Sequence, residues 1–352
     1  MSLEKEIQEI TNRFIDNDYF NTVDLLFQHQ NRQLVRLRYS NGQWSNQLED
    51  RLIFDLASLT KIVTTTGILK LITENKLTLN SSLKEILPLD KSLLEEIGSI
   101  TVIELLTHSS GLRAWFPFYS LHTTRDLLEA LKTIELRHEQ EDEPVYSDLN
   151  YMLLGEVIQR VTGMGLQTFL TKEIKEPLNL PTLTYGPIKK ENIVPTEFGN
   201  KIEMKMCEDR GLHFHRWRPV HRAITGEVND GNAHYFFKGQ AGHAGLFGSV
   251  EDLVGLLDVY MQSSLNDDSN YIVRHLLTES LKNQVETRGL GWHSGNPFPS
   301  GFGHTGFTGT SVWLDPLREL KGVILTNRLN VEHPKDLNDF RYQVHKHIIN
   351  FV

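Results

Sequence analysis

What limits the possible folds of this 352-residue chain most is the placement of its strand patterns. They lie at both ends, with helical patterns between them. Near the start, residues 22–28 (TVDLLFQ) and 33–39 (QLVRLRY) are β-branched and apolar around a polar turn at Asn31, which predicts a hairpin. Near the end, 310–315 (TSVWLD) and 320–326 (LKGVILT) flank a turn at 316–319. Apolar residues at helical spacing mark 3–17, 59–75, 101–107, 123–134, 149–161, 165–175, 249–264 and 337–351. The economical assembly is an α/β (α+β) fold. A mostly antiparallel sheet draws strands from both chain ends and is flanked by the terminal helices, with a helical region inserted between. Its division is 1–58 with 285–352 for the sheet region and 59–284 for the helical region, one two-lobed catalytic unit. Residues 181–248 have little periodicity and many Gly, Pro, Asn and His, so they should hold short strands and border a site.

With 36 Lys+Arg against 45 Asp+Glu, the formal charge of −9 argues against a nucleic-acid partner, which needs a basic face. A single cysteine, Cys207, excludes an intrachain disulfide and a cysteine-built metal site. No apolar run reaches the ~18 residues that span a bilayer. The opening MSLEKEI lacks a secretory pattern, so the expected location is cytoplasmic; a removed leader would make it periplasmic or secreted. Nothing in the sequence sets an oligomeric state.

Three short motifs carry chemistry. Ser58-Leu-Thr-Lys61 follows a short apolar piece, Leu52–Ala57, and opens an apolar helix. There positions i and i+3 share a face and place the amine beside the hydroxyl. Two other Ser-x-x-Lys pairs, Ser2/Lys5 and Ser81/Lys84, lack that context and read as caps or surface residues. Tyr146-Ser147-Asp148 opens the helix 149–161, where a phenol can relay a proton. His304-Thr305-Gly306 precedes the strand 310–315, among glycines that allow close backbone approach.

In this order the motifs resemble the serine β-lactamase and penicillin-binding-protein superfamily, whose signature is Ser-x-x-Lys, Tyr-x-Asn or Ser-Asp-Asn, and Lys-Thr-Gly. The class C-like branch, with its esterases, D-aminopeptidases and peptidoglycan amidases, is the nearest in pattern. Leu105-Leu-Thr-His-Ser-Ser-Gly-Leu112, Asn150-Tyr151 with Leu154-Gly155, and Gly242-His-Ala-Gly-Leu-Phe247 before Glu251-Asp-Leu253 add to the likeness. The resemblance implies a serine hydrolase acting through an acyl-enzyme on an amide or ester: a β-lactam, a peptidoglycan fragment or a simple ester. It implies Ser58 as nucleophile, Lys61 as its base partner and Tyr146 as proton shuttle. His304, Thr305 and Gly306 would line the site, and the N–H groups of Ser58 and Phe307 would form an oxyanion hole. No cofactor is implied, and the partner is a small-molecule or cell-wall-derived substrate.

Two positions depart from the pattern. Asp148 stands where Asn is usual, and a carboxylate there would hold the Lys61 ammonium charged or itself accept a proton. Asn150 is the alternative amide, although on a helix it points elsewhere. His304 replaces Lys, exchanging a permanent cation for a group that titrates near neutrality. Polar groups on the loop 229–234, Asn232 among them, and His243 are expected substrate contacts. Two rivals remain. One is an idle binding protein on the same fold. The other is a metal-dependent hydrolase using His213, His215, His221, His234, His243 and Asp230, with His213-x-His215 as the nearest thing to a zinc pair; the preferred reading has no metal.

Overall fold

The structure, a computed structural model, describes residues 2–45, 51–121, 124–137, 144–261 and 271–352. In chain order its strands are β1 (Val23–His29), β2 (Arg32–Ser40), β3 (Gln43–Trp44), β4 (Phe54–Asp55), β5 (Thr184–Tyr185), β6 (Leu246–Gly248), β7 (Phe302–Thr305), β8 (Ser311–Asp315) and β9 (Leu320–Thr326). The helices that matter here are α1 (Leu3–Asp16), α2 (Thr60–Thr73), α3 (Val102–Leu106), α4 (Asp148–Thr162), α5 (Lys201–Glu208), α6 (Val250–Met261) and α7 (Asn338–Phe351).

The main sheet runs β3-β2-β1-β9-β8-β7, antiparallel throughout. β1 and β2 form the expected hairpin, with Gln30 and Asn31 in left-handed conformations at φ 49° and 60°. β1 pairs along its whole length with β9, from Val23 opposite Thr326 to His29 opposite Leu320, so the two chain ends close the sheet together. Side chains alternate across it. Val23, Leu25 and Phe27 face one way, with Trp313 and Ile324, under Leu3, Ile7, Ile10 and Phe14 of α1 and Phe340, Val344 and Ile348 of α7. Leu26, Val312, Leu314, Val323 and Leu325 face the other way, into the core of the helical region.

One buried charge cluster ties the sheet to that region. Asp24 on β1 is fully buried and pairs with Arg36 and with Arg38 at 3.0 Å; Arg36 also reaches Glu251 in the first turn of α6 at 2.8 Å. α2 is apolar nearly all round and is buried accordingly, from Thr60 through Leu69. The loop-rich stretch holds the short strands its composition suggested: β5 and β6 join β4 in a second sheet, in the order β4-β6-β5.

Some boundaries moved. Of the helix expected over 123–134, residue 123 lies outside the described residues; within the rest the helix runs Leu127–Leu131, because the Asp126 carboxylate accepts from the Glu129 N–H at 3.0 Å and starts it there. The 165–175 helix widens into a π-type turn from Leu170 to Lys175. Residues 262–264 of the expected 249–264 helix lie outside the described residues. Ser2 caps α1, and the Ser81 hydroxyl accepts from the Thr78 N–H at 3.0 Å. Both therefore have the local roles their context suggested. Among the described residues no helix is long and apolar enough to cross a membrane.

Candidate active site

Strand β4 carries the chain into Ser58 through a strained step. Ala57 adopts a left-handed conformation at φ 46°, unfavourable for a residue with a Cβ. Its N–H donates to Asp55 Oδ1 at 2.9 Å, which holds the turn. Ser58 then sits on a tight helical turn leading into α2, and Lys61 lies one turn on. Lys61 Nζ donates to Ser58 Oγ at 3.0 Å and to the His243 carbonyl at 3.1 Å, and it pairs with Asp148 Oδ1 at 2.8 Å. The Lys61 side chain is fully buried. Burial opposes the charge, but Asp148 and the Tyr146 hydroxyl outweigh burial and hold the ammonium well above its ordinary range. Lys61 is therefore a cation at rest rather than a free base, as the carboxylate at 148 suggested.

Tyr146 lies just before α4 and over Lys61, whose Nζ is 5.0 Å from the ring centroid. Its ring neighbours are His108, with a centroid 4.5 Å away, and His304, 6.0 Å away. His108 is itself left-handed, at φ 59°. Burial, then the nearby Arg288 and Lys61, push its imidazole well below the ordinary range. The neutral ring accepts the Ser147 N–H at Nδ1, 3.0 Å away. Gly242 packs closely on α4: a Cβ there would stand 2.1 Å from the Tyr151 carbonyl oxygen. That close approach is what brings the His243 carbonyl to Lys61.

Ser58, Tyr146, Asp148, Thr305 and Phe307 open together onto a cavity of about 290 Å³. Its other walls include Ala57, Trp115, Glu203, Met206, Asn229 and Asp230. Gly306 supports one wall. A Cβ there would meet Thr310 Oγ1 at 2.1 Å and the Leu56 carbonyl at 2.8 Å, so only glycine lets this strand approach the Ser58 turn. The Phe307 carbonyl is held by Arg328 Nε at 2.7 Å.

Four expected contacts stand behind the cavity wall. His304 is 3% exposed; burial and the neighbouring His293 and Lys61 push it well below its ordinary range. The expected titration near neutrality is thus corrected: the ring is neutral, and its Nδ1 lies 2.9 Å from the Thr305 carbonyl. Asn150 is buried, accepting from Ser110 Oγ at 2.6 Å, and does not reach the cavity. Asn232 is buried and bridges backbone groups, accepting from the Phe118 N–H and donating to the Phe116 carbonyl, each at 2.8 Å. His243 is buried and its Nε2 lies 3.0 Å from Asp230 Oδ1. Asn232 and His243 thus build the wall that Asn229 and Asp230 present.

The sequence reading missed Asp55, Trp115, Glu203 and Arg288. Asp55 had a signal, a lone carboxylate within an apolar strand three residues before the serine. It accepts the Asn229 N–H at 2.6 Å as well as that of Ala57, and burial pushes its carboxyl up to about 6. Glu203, accepting from the Tyr119 hydroxyl at 2.8 Å and the Gly231 N–H at 2.9 Å, is pushed well above the carboxylate range by burial and by Asp230. Burial also opposes ionisation of Asp230, but His243 outweighs it and holds that carboxylate low. Among the described residues one group has a metal-like spacing, Asp148, Asp230 and His243. Its atoms already serve each other and the Lys61 ammonium. His213, His215 and His221 are exposed and take no part.

The Beta-lactamase family profile matches residues 23–346. The chain belongs to this family. It is 32% identical over 312 residues to the N-acetylmuramyl-L-alanine amidase of Bacillus subtilis (strain 168), covering 80% of this chain and 69% of that one. A class C β-lactamase mutant superposes with a TM-score of 0.73 at 15% identity, over 99% of this chain and 97% of that one. EstCE1, a hydrolase with promiscuous acyltransferase activity, gives 0.71 at 18% identity, over 99% and 98%. The family, the amidase relative and the shared fold make the protein a serine hydrolase of the Beta-lactamase family.

Proposed function

We propose that the protein is an amidase acting on muramyl-peptide material, with Ser58 as the acylated nucleophile. The carrying observation is that Ser58 lines the cavity with its Oγ 3.0 Å from an ammonium that Asp148 keeps charged. In this reading Tyr146, as phenolate, takes the Ser58 proton while Oγ bonds to the amide carbon. The N–H groups of Ser58 and Phe307 receive the oxyanion. Tyr146 then returns the proton to the leaving nitrogen as the C–N bond breaks. Water attacks the ester with Tyr146 again as base, and Tyr146 passes that proton to Ser58 Oγ as the acyl C–O bond breaks, releasing the acid and restoring both groups. Lys61, already charged, steadies the negative charge on Oγ and the phenolate.

The amide preference is supported by the 32% identity to an N-acetylmuramyl-L-alanine amidase. The test is mass spectrometry of products from an N-acetylmuramyl-L-alanyl peptide. Release of the intact peptide with a free alanine amine, lost in Ser58→Ala, is expected. Turnover of simple esters with that substrate untouched would overturn the amidase assignment.

A further inference from the structure

A substrate group that enters the cavity beside Ser58 meets an acceptor that the protein itself leaves unused. Asp230 lines the cavity, and its side chain is 23% exposed. Both protein contacts of its carboxylate fall on Oδ1: the Ala233 N–H donates to it at 2.7 Å, and His243 Nε2 lies 3.0 Å away. Among the described residues Oδ2 has no hydrogen-bond partner, and it is not buried. The backbone is fixed too, the Asp230 carbonyl accepting from the His234 N–H at 2.9 Å. The carboxylate is thus held in place by one oxygen and offers the other to the cavity.

Two other acids line the cavity, and each is already engaged. Asp148 pairs with Lys61 at 2.8 Å. Glu203 accepts from the Tyr119 hydroxyl with Oε1 and from the Gly231 N–H with Oε2. Carboxylate oxygens of Asp148 and Asp230 lie within 4.8 Å of each other, so the negative charge is concentrated there. Among the described residues no Lys, Arg or His lines the cavity. The guanidiniums nearby are set against aromatic residues of the wall: Arg210 against Trp115, Arg288 against Tyr146 and Arg328 against Phe307, with central carbons 5.6, 5.4 and 5.0 Å from the ring centroids. A substrate carboxylate beside Asp230 would face a like charge with no lining cation to pair with. An O–H or N–H there would find an ionised acceptor, which makes the stronger kind of hydrogen bond.

We infer that Asp230 sets substrate choice at this site: its free oxygen accepts an O–H or N–H of the substrate and turns away substrates with a free carboxylate next to the scissile bond. The inference rests on Ser58 as the acylated residue and deepens the amidase reading. In an N-acetylmuramyl-L-alanyl peptide the leaving alanine has its carboxyl tied up in a peptide bond, whose nitrogen brings an N–H. At a free D-alanyl-D-alanine end the leaving residue carries a carboxylate. The substrate class is therefore an amide followed by further peptide, not one at a carboxy terminus.

The test compares kcat/KM for N-acetylmuramyl-L-alanine and N-acetylmuramyl-L-alaninamide, which differ only in the carboxylate, in wild type and Asp230→Asn. Wild type should prefer the alaninamide at least about fivefold, the worth of one charge contact in a partly wet cleft. Asp230→Asn, which keeps an oxygen for the Ala233 N–H, should bring that preference to about twofold or less. An equal preference in both proteins, whatever the fall in rate, would mean that Asp230 only supports the wall. A wild-type preference for the free carboxylate would mean that a cation reaches the substrate; either overturns the inference. If Asp230→Asn does not fold, Asp230→Ser replaces it under the same criteria. If neither muramyl substrate is turned over, the amidase reading has failed, and esters with lactate and lactamide as leaving groups carry the same comparison for Asp230.

Discussion

Asp148→Asn isolates the charge that this chain places beside Lys61. The pair is 2.8 Å apart, with Lys61 fully buried and Asp148 18% exposed. At an effective dielectric of about 20, the attraction is about 6 kcal/mol before desolvation is charged against it. Removing one partner from a buried pair costs about 3–5 kcal/mol. Asparagine keeps an oxygen that can accept from the ammonium, and Ser58 Oγ and the His243 carbonyl remain in place. A net destabilisation of about 2–3 kcal/mol is therefore expected, or about 4–6 °C in Tm at roughly 2 °C per kcal/mol for a chain this long. The pH dependence has a sign. In the wild type Lys61 is held above its unfolded value, so its contribution is complete at pH 7 and is lost only as pH rises through the raised value. In the variant Tyr146 alone is left to oppose burial, so Lys61 is held lower than in the wild type. The variant then sheds its proton at a lower pH than the wild type, and its deficit shrinks at alkaline pH. Urea unfolding at pH 6.5 and pH 9.5, followed by circular dichroism, measures both. A loss under about 0.5 kcal/mol at pH 6.5, or one that grows with pH, would refute Asp148 as the counter-charge.

Asn232→Ala should cost about 1–3 kcal/mol by unbonding a buried N–H and a partly buried carbonyl, read as a lower urea midpoint; an unchanged midpoint would contradict its bridging role. His304→Lys should lower Tm and leave KM for a carboxylate-bearing ester no better than wild type, because the new ammonium would be buried near Lys61 and Arg288. A lower KM would show that the position reaches substrate after all. Gly306→Ala should slow acylation at least tenfold by pushing the 305–307 strand off the Ser58 turn, measured by stopped-flow with a chromogenic ester; wild-type rates would refute the close approach.

Much of this was legible in the sequence because it depends on local order. The terminal strands carry their own period and turn residues, so the sheet built from both ends follows, as does the buried helix behind Ser58. The i, i+3 spacing alone puts Lys61 beside the serine, and the acid at 148 carried its consequence with it. What the sequence hides depends on burial. His304 and a surface histidine look alike until the sheet closes over the ring. Asn232 and Asp230 are two residues apart, yet one turns inward to bind backbone and the other faces the cavity. Glu203 and Trp115 belong to the site only because α5 and the loop after α3 fold across it. Arg288 lies 142 residues along the chain from Tyr146, so its place over that ring has no local signal.

The central claim is that Ser58 is the residue that becomes acylated. Incubating the protein with a fluorophosphonate, digesting it and sequencing the peptides by mass spectrometry tests this directly. The account predicts one adduct, on Ser58, absent from Ser58→Ala and accompanied there by a fall in turnover of about a thousandfold or more. Labelling at Ser81, or Ser58→Ala that turns over substrate at the wild-type rate, would contradict it.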